Sequence, residues 1–354
     1  MRKIENFSRA KRLMQSAITD FSLDLSGISV LTEAASGAFA TTPLIAALSG
    51  ADRVIAVAKD SSYGMASEVE EYIEGCARSL GVEERIEIST QPAYEHADSV
   101  DLVTNLGFVR PIDERLIHRL PDDAAIALMW ETWEFRPEDI DLRACRKRRI
   151  PVLGTWESHP RLQIFRYVGL VALKLLLEAS IEVFRSKILL IGSGPLGQET
   201  KRVLQSNGAD LTHLDPWEHW NRHHLDLKEG IQDVDAVVLA EHRARFSILG
   251  GETGLPLEWF DDHGAVIVHL CGKIEDEELE DHRIHKIPAR KVEPGYMAVT
   301  TDYVGPRPVI DLHAGGLKVG EALVRGMRLF HNMDEAIRYA LANSPAMDFE
   351  EEAG

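Results

Sequence analysis

The chain has 354 residues, room for about two domains, and an ordinary globular balance of 45% hydrophobic and 27% charged residues. Its formal charge of −18 repels a phosphate backbone, which excludes nucleic acid as an expected partner. Three scattered cysteines, Cys76, Cys145 and Cys271, form no CxxC pair, so neither a disulfide framework nor a structural zinc site is expected.

The N-terminal stretch lacks the apolar core of a signal peptide, and no uncharged apolar run of about 18 residues occurs. A soluble cytoplasmic protein is the expectation, with no membrane partner. Residues 4–20 read as a polar amphipathic helix. The runs ISVLTEA (28–34), RVIAVAKD (53–60), RIEIST (85–90) and VDLVTNLG (100–107) read as strands, as do AAIALMW (124–130) and IPVLGT (150–155). Helical segments at 41–50 and 64–82 fall between the early strands. A long apolar helix at 161–184 follows, and the alternation restarts with KILLIG (187–192), ADLTHLD (209–215), DAVVLA (235–240) and AVIVHL (265–270). This rhythm predicts an α/β protein: two doubly wound parallel-sheet, Rossmann-like domains joined by a long interdomain helix. The helical tail after residue 300 has no sheet of its own. It is placed with the first domain, giving an outer substrate domain of 1–157 plus 300–354 and a dinucleotide domain of 158–299.

The sharpest motif is Gly192-Ser193-Gly194-Pro195-Leu196-Gly197, which closes a strand and opens a helix. The first glycine permits the tight turn, the second admits a pyrophosphate, and the third lets helix pack on strand. Amides at the helix start suit phosphate. Asp215 ends the next strand, where a carboxylate accepts from a ribose diol and repels a 2′-phosphate, so NAD is the expected cofactor. A glycine turn that merely packs a strand on a helix is the competing reading.

From 111 to 320 the chain resembles the D-isomer-specific 2-hydroxyacid dehydrogenases of the formate/glycerate dehydrogenase superfamily. The resemblance runs through PIDERLIHRLP (111–121), the glycine motif with LDPW (214–217), DVDAVVLA (233–240), HGAVIVHLCGKIEDEEL (263–279), Glu293-Pro294 and Asp311-Leu-His313-Ala-Gly315-Gly316. It implies hydride transfer between NAD and a 2-hydroxy/2-oxo acid, with His313 as acid/base and Glu293 as its carboxylate partner. The family's substrate-binding arginine follows the strand behind the nicotinamide, and here Cys271 holds that place. Cysteine lacks the arginine's fork of donors, so an atypical substrate or another cation is implied; Lys273, Arg110, Arg307 and Lys318 are the candidates. The apolar helix implies a homodimer, as its counterpart does in the family.

Further candidates lie where strands end. Trp130, Glu131 and Trp133 of MWETWEF (129–135), with Glu157 and His159, are placed on the substrate wall, alongside Asp302, Arg307, Asp311 and Lys318 of a stretch read as turn-rich, 297–318. The histidines around WEHWNRHH (217–224) lack an acid or cysteine completing a familiar spacing, so no metal is expected. Two other classes stay open: an S-adenosylhomocysteine-hydrolase-like enzyme with tightly held NAD, and a non-catalytic, NAD-responsive binding protein.

Overall fold

A computed structural model describes residues 1–219, 231, 233–261, 264–293 and 295–349. The chain divides into two compact units, Met1–Leu162 with Gly305–Gly354, and Gln163–Val304.

Unit 1 holds helices α1 (Phe7–Phe21), α2 (Thr41–Leu48), α3 (Ala66–Leu80), α4 (Glu114–Arg119) and α5 (Leu142–Arg148). Its strands are β1 (Ser29–Glu33), β2 (Arg53–Val57), β3 (Ile86–Ser89), β4 (Leu102–Thr104), β5 (Ala125–Ala127) and β6 (Val152–Thr155). In α1, Ala10, Leu13, Met14, Ala17 and Phe21 are buried, the spacing that puts one apolar stripe on the core. Asn6 caps the helix through Arg9 N–H, and Ser22 ends it in the left-handed region. Strands β1, β4 and β5 are almost wholly buried, as parallel strands covered on both faces must be. The parallel order β3-β2-β1-β4-β5-β6 reverses between β1 and β4, the crossing that makes a sheet doubly wound. Across that reversal the Thr104 hydroxyl donates to the Thr32 hydroxyl at 2.9 Å.

Unit 2 opens on the helix expected at 161–184, which is shorter: α6 spans Phe165–Glu178. Ser180, Val183 and Arg185 all take positive φ, so the chain leaves the helix despite its apolar composition. The sheet is built from β7 (Lys187–Ile191), β8 (Asp210–Leu214), β9 (Ala236–Ala240), β11 (Val266–Cys271) and β13 (Lys286–Ile287), with a side pair β10 (Ser247–Leu249) and β12 (Lys273–Ile274). Helices α7 (Gly194–Ser206), α8 (Pro216–His219), α9 (Glu258–Asp261) and α10 (Asp276–Asp281) complete it. The order β13-β11-β9-β7-β8 is parallel throughout and reverses between β7 and β9. Phe260 fills the core on one face with Leu189, Ile191, Leu239 and Ile267.

The tail returns to unit 1 as α11 (Arg307–Phe330), α12 (Met333–Asn343) and β14 (Ala346–Met347), the last pairing antiparallel with β6. The turn-rich reading of 297–318 is corrected here, because helix already runs from 307. Pro306 and Pro308 sit at the helix start, where a missing N–H costs no hydrogen bond. Gly316 is a contact point: a Cβ there would lie 2.2 Å from Met129 Sδ. The prolines and glycines that resemble turn signals thus start one helix and let it lie close to β5.

Candidate functional site

In unit 2 the glycine loop stands at the carboxyl end of β7, beside the reversal point. Gly192 continues the strand, its N–H donating to Leu214 O at 3.0 Å. A Cβ on it would lie 2.4 Å from Ala240 O, and one on Gly197 would lie 2.6 Å from the Gly192 carbonyl carbon. Gly194 turns the chain at φ +56°. The division of labour therefore differs from the expected one: Gly194 makes the turn, while Gly192 and Gly197 permit close packing. Ser193 is the cap residue of α7 in extended conformation, with no capping bond from its side chain. Its hydroxyl is buried without a partner among the described residues. Pro195 occupies the first turn and Leu196 is buried beneath it. A buried hydroxyl without a partner among the described residues, at a helix start where Gly194 carries no side chain into the space before it, fits a phosphate-bearing group.

Asp215 follows the last residue of β8, the strand next to β7 in the sheet. Its Oδ1 accepts from Trp217 N–H at 2.9 Å, which starts α8 and fixes the carboxylate beyond the strand. Residues 220–224 of the histidine-rich stretch lie outside the described residues. Among the described residues, no group of three His, Cys, Asp or Glu side chains is placed to hold a metal ion.

Beyond β9 the run Glu241-His242-Arg243-Ala244-Arg245 turns over the same end of the sheet. Glu241 is fully buried, and its Oε1 accepts from Arg243 N–H at 2.8 Å and Ala244 N–H at 3.1 Å. Burial, with Arg243 and Arg245 adding to it, pushes His242 down to about 4. Cys271 is the last residue of β11, fully buried and bridged to Met297. His269 on the same strand bonds Gly272 O at 2.8 Å, and burial lowers it to about 4. Lys273 pairs with Glu275 at 3.1 Å. Glu293 is exposed; Pro294 lies outside the described residues. Asp302 is buried and accepts from the Thr300 hydroxyl.

In unit 1, His313 lies inside α11 rather than in a turn. It is 2% exposed, its Nδ1 stands 2.5 Å from the Thr42 hydroxyl, and Phe39 packs on the ring at 5.6 Å. Burial pushes it down to about 3, which favours the neutral ring, and the Thr42 and Phe39 contacts give it a packing role in unit 1. Glu293 and His313 belong to different units. His313→Ala is expected to cost unit 1 about 2 kcal/mol, read as a lower urea midpoint at unchanged m-value. A variant as stable as the parent would contradict the packing role. Arg307 meets Asp311 at 3.7 Å, and burial raises that carboxyl to about 6. Lys318 is committed to Ser22 O at 3.0 Å and Glu321 at 2.9 Å.

The richest polar group of unit 1 is at the carboxyl ends of β1, β4, β5 and β6. Glu33, 6% exposed, accepts from Phe108 N–H at 3.2 Å, and burial raises its pKa despite Arg110. Arg110 pairs with Asp139 at 2.8 Å and lies over Trp130, 5.4 Å from its centroid. Asn105 Nδ2, Arg110 Nε and Trp130 Nε1 are buried donors without an acceptor among the described residues. Glu131 is a tie: Oε1 accepts from Glu157 N–H at 2.8 Å and Oε2 from Trp133 Nε1 at 2.5 Å. Beside it, burial and mutual repulsion raise Glu134 to about 7 and Glu157 well above its ordinary value. His159 stacks edge-on against Trp156 at 5.5 Å. Sequence reasoning missed Glu33, Asn105 and Arg243. Each ends or follows a buried strand, but their neighbours depend on strand order, which no local pattern carries.

No protein-family model matches this chain, and no curated protein does. Among solved structures it is similar to the A chain of dipicolinate synthase from Bacillus subtilis, at 12% identity and TM-score 0.54, over 86% of this chain and 99% of that one. It is also similar to the counterpart of that chain in the dipicolinate synthase of Bacillus halodurans, at 12% identity and TM-score 0.50, over 82% and 96%. The pyruvate reductase of Chlamydomonas reinhardtii aligns at 15% identity and TM-score 0.46, over 81% and 96%. The two synthase structures establish a shared fold.

Proposed function

We propose that this chain is an NAD-dependent oxidoreductase acting on a small 2-hydroxy- or 2-oxo-acid-like molecule. The observation carrying the reading is the glycine cradle of unit 2 with the unpaired buried Ser193 hydroxyl at its lip. The sequence resemblance to 2-hydroxyacid dehydrogenases and the fold shared with the two synthase structures support it. Ser193, Gly194 and Leu196 would hold the phosphates, with Gly192 and Gly197 setting the position of the loop, and Asp215 would hold the adenosine ribose. NAD, when bound, accepts or gives the hydride. Within unit 1, the buried donors of Asn105, Arg110 and Trp130 favour an anion such as a carboxylate.

Dialysed protein incubated with NAD and a panel of 2-hydroxy acids, followed at 340 nm, tests the reading; reduction of NAD by at least one acid is expected. Asp215→Ala should weaken NAD binding and narrow the preference over NADP by about tenfold, because the repulsion of a 2′-phosphate goes with the carboxylate. Parallel Kd titrations with both cofactors check this, and an unchanged ratio would remove Asp215 from the site. One observation favours a second reading, an NAD-responsive binding protein: the expected acid/base is buried and neutral. NAD binding without turnover on any acid would support it.

We also infer a homodimer formed through α6, where Leu170 and Leu177 are exposed one above the other. Light scattering after gel filtration should return twice the chain mass. Among the described residues no helix is long and apolar enough to cross a membrane, and a cytoplasmic location belongs to the same proposal.

A further inference from the structure

We propose that Arg243 is the pyrophosphate-binding cation of unit 2, an assignment that rests on the dinucleotide reading above. The sheet of unit 2 reverses between β7 and β9, and ligands of doubly wound sheets bind at that crevice. The glycine loop flanks it on one side and the 241–245 turn on the other, with Gly192 tight against the last carbonyl of β9. Buried Glu241 fixes the turn by accepting from the Arg243 and Ala244 amides. So held, Arg243 extends over the loop: its guanidinium carbon and one terminal nitrogen lie 3.8 Å from the position a Cβ on Gly194 would take.

Two further observations point to an anion. Among the described residues no carboxylate pairs with the Arg243 guanidinium, so its charge over the glycine loop is uncompensated. The glycine loop itself carries no cation, since Gln198 follows Gly197. Its helix start supplies amides and about half a positive charge, against the two charges of a pyrophosphate. The planar fork of an arginine supplies the remainder and grips two phosphate oxygens at once. The unpaired Ser193 hydroxyl, buried within the same loop, marks the place where those oxygens accept.

The test is calorimetric titration of the full chain with NAD, ADP and adenosine, for the parent protein, Arg243→Ala and Arg243→Lys. Arg243→Ala is expected to weaken NAD and ADP about 10- to 100-fold and to leave adenosine unchanged, with Arg243→Lys between. The salt dependence of ADP binding should flatten in the alanine variant. Arg243 is exposed, so matching thermal melts will show that the variants fold alike. Unchanged ADP affinity, or an equal loss for adenosine and ADP, would overturn the assignment while leaving the dinucleotide reading in place. Parent protein that takes up neither NAD nor ADP would remove that reading, and the assignment with it.

Discussion

Gly192→Ala is expected to weaken NAD binding by about two orders of magnitude and to destabilise unit 2. The methyl group would be built 2.4 Å from Ala240 O and 2.9 Å from the Ala240 carbonyl carbon. These are backbone atoms of a central strand, hydrogen-bonded on both sides, so no side chain can swing away. Overpacking of this kind costs about 3 kcal/mol. Relief comes only by pushing the loop off the strand, which moves the amides meant for phosphate. Calorimetry for Kd and urea melts for stability check the two halves separately. Parent-like affinity in a folded variant would show that the loop's position is immaterial to binding.

Glu134→Gln is expected to stabilise unit 1 at alkaline pH. Folding takes this carboxyl from an ordinary value of 4.5 up to about 7, chiefly because burial disfavours the charge and the Glu131 carboxylate repels it, while the Glu131 N–H, Arg136 and a hydrogen bond with Glu157 act the other way. Between those values the folded state keeps a proton that the unfolded chain has released, so stability falls as pH rises. The contribution is whole below about pH 4.5 and gone above about pH 7. Glutamine keeps the shape and a donor without ever ionising. After allowance for the part of Glu134 that reaches solvent, the gain at pH 8 is about 2 kcal/mol, or roughly 5 °C in Tm for a unit of about 200 residues. At pH 4.5 the difference should vanish. Histidines 242, 269 and 313, held neutral by burial, have the opposite sign and cost stability as pH falls below about 6.5. They affect parent and variant equally, so the difference between the two melts isolates the carboxyl. A variant no more stable than its parent at pH 8 would mean that Glu134 ionises freely.

Much of the fold was legible because parallel strands buried on both faces leave unbroken apolar runs, as ILLI of β7 and AVVLA of β9 do. The glycine loop was legible for a related reason: it belongs to one strand–turn–helix unit, in which Gly194 turns the chain and Gly197 packs on Gly192, although Gly192 also answers to Ala240 of β9. The placing of α11 was not, since Pro306, Pro308 and Gly315-Gly316 have the composition of a loop; the prolines fit because they stand at the helix start, and the glycines because Leu162 and Pro345 crowd Gly315 and Met129 crowds Gly316. His313 shows the same limit from the other side. A short His-x-Gly-Gly resemblance carries no information about the Thr42 hydroxyl and Phe39 ring that enclose it. The tie through Glu131 and the reach of Arg243 both join segments whose adjacency is set by strand order alone.

The claim on which the account stands is that unit 2 binds NAD through its glycine loop. Titration of NAD into protein freed of bound nucleotide, followed by calorimetry, tests it most directly. The account predicts saturable heat with one site per chain, shifted to about a hundredfold higher NAD in Gly192→Ala. Absence of heat from the folded parent protein, across concentrations up to the millimolar range typical of weak cofactor sites, would contradict it.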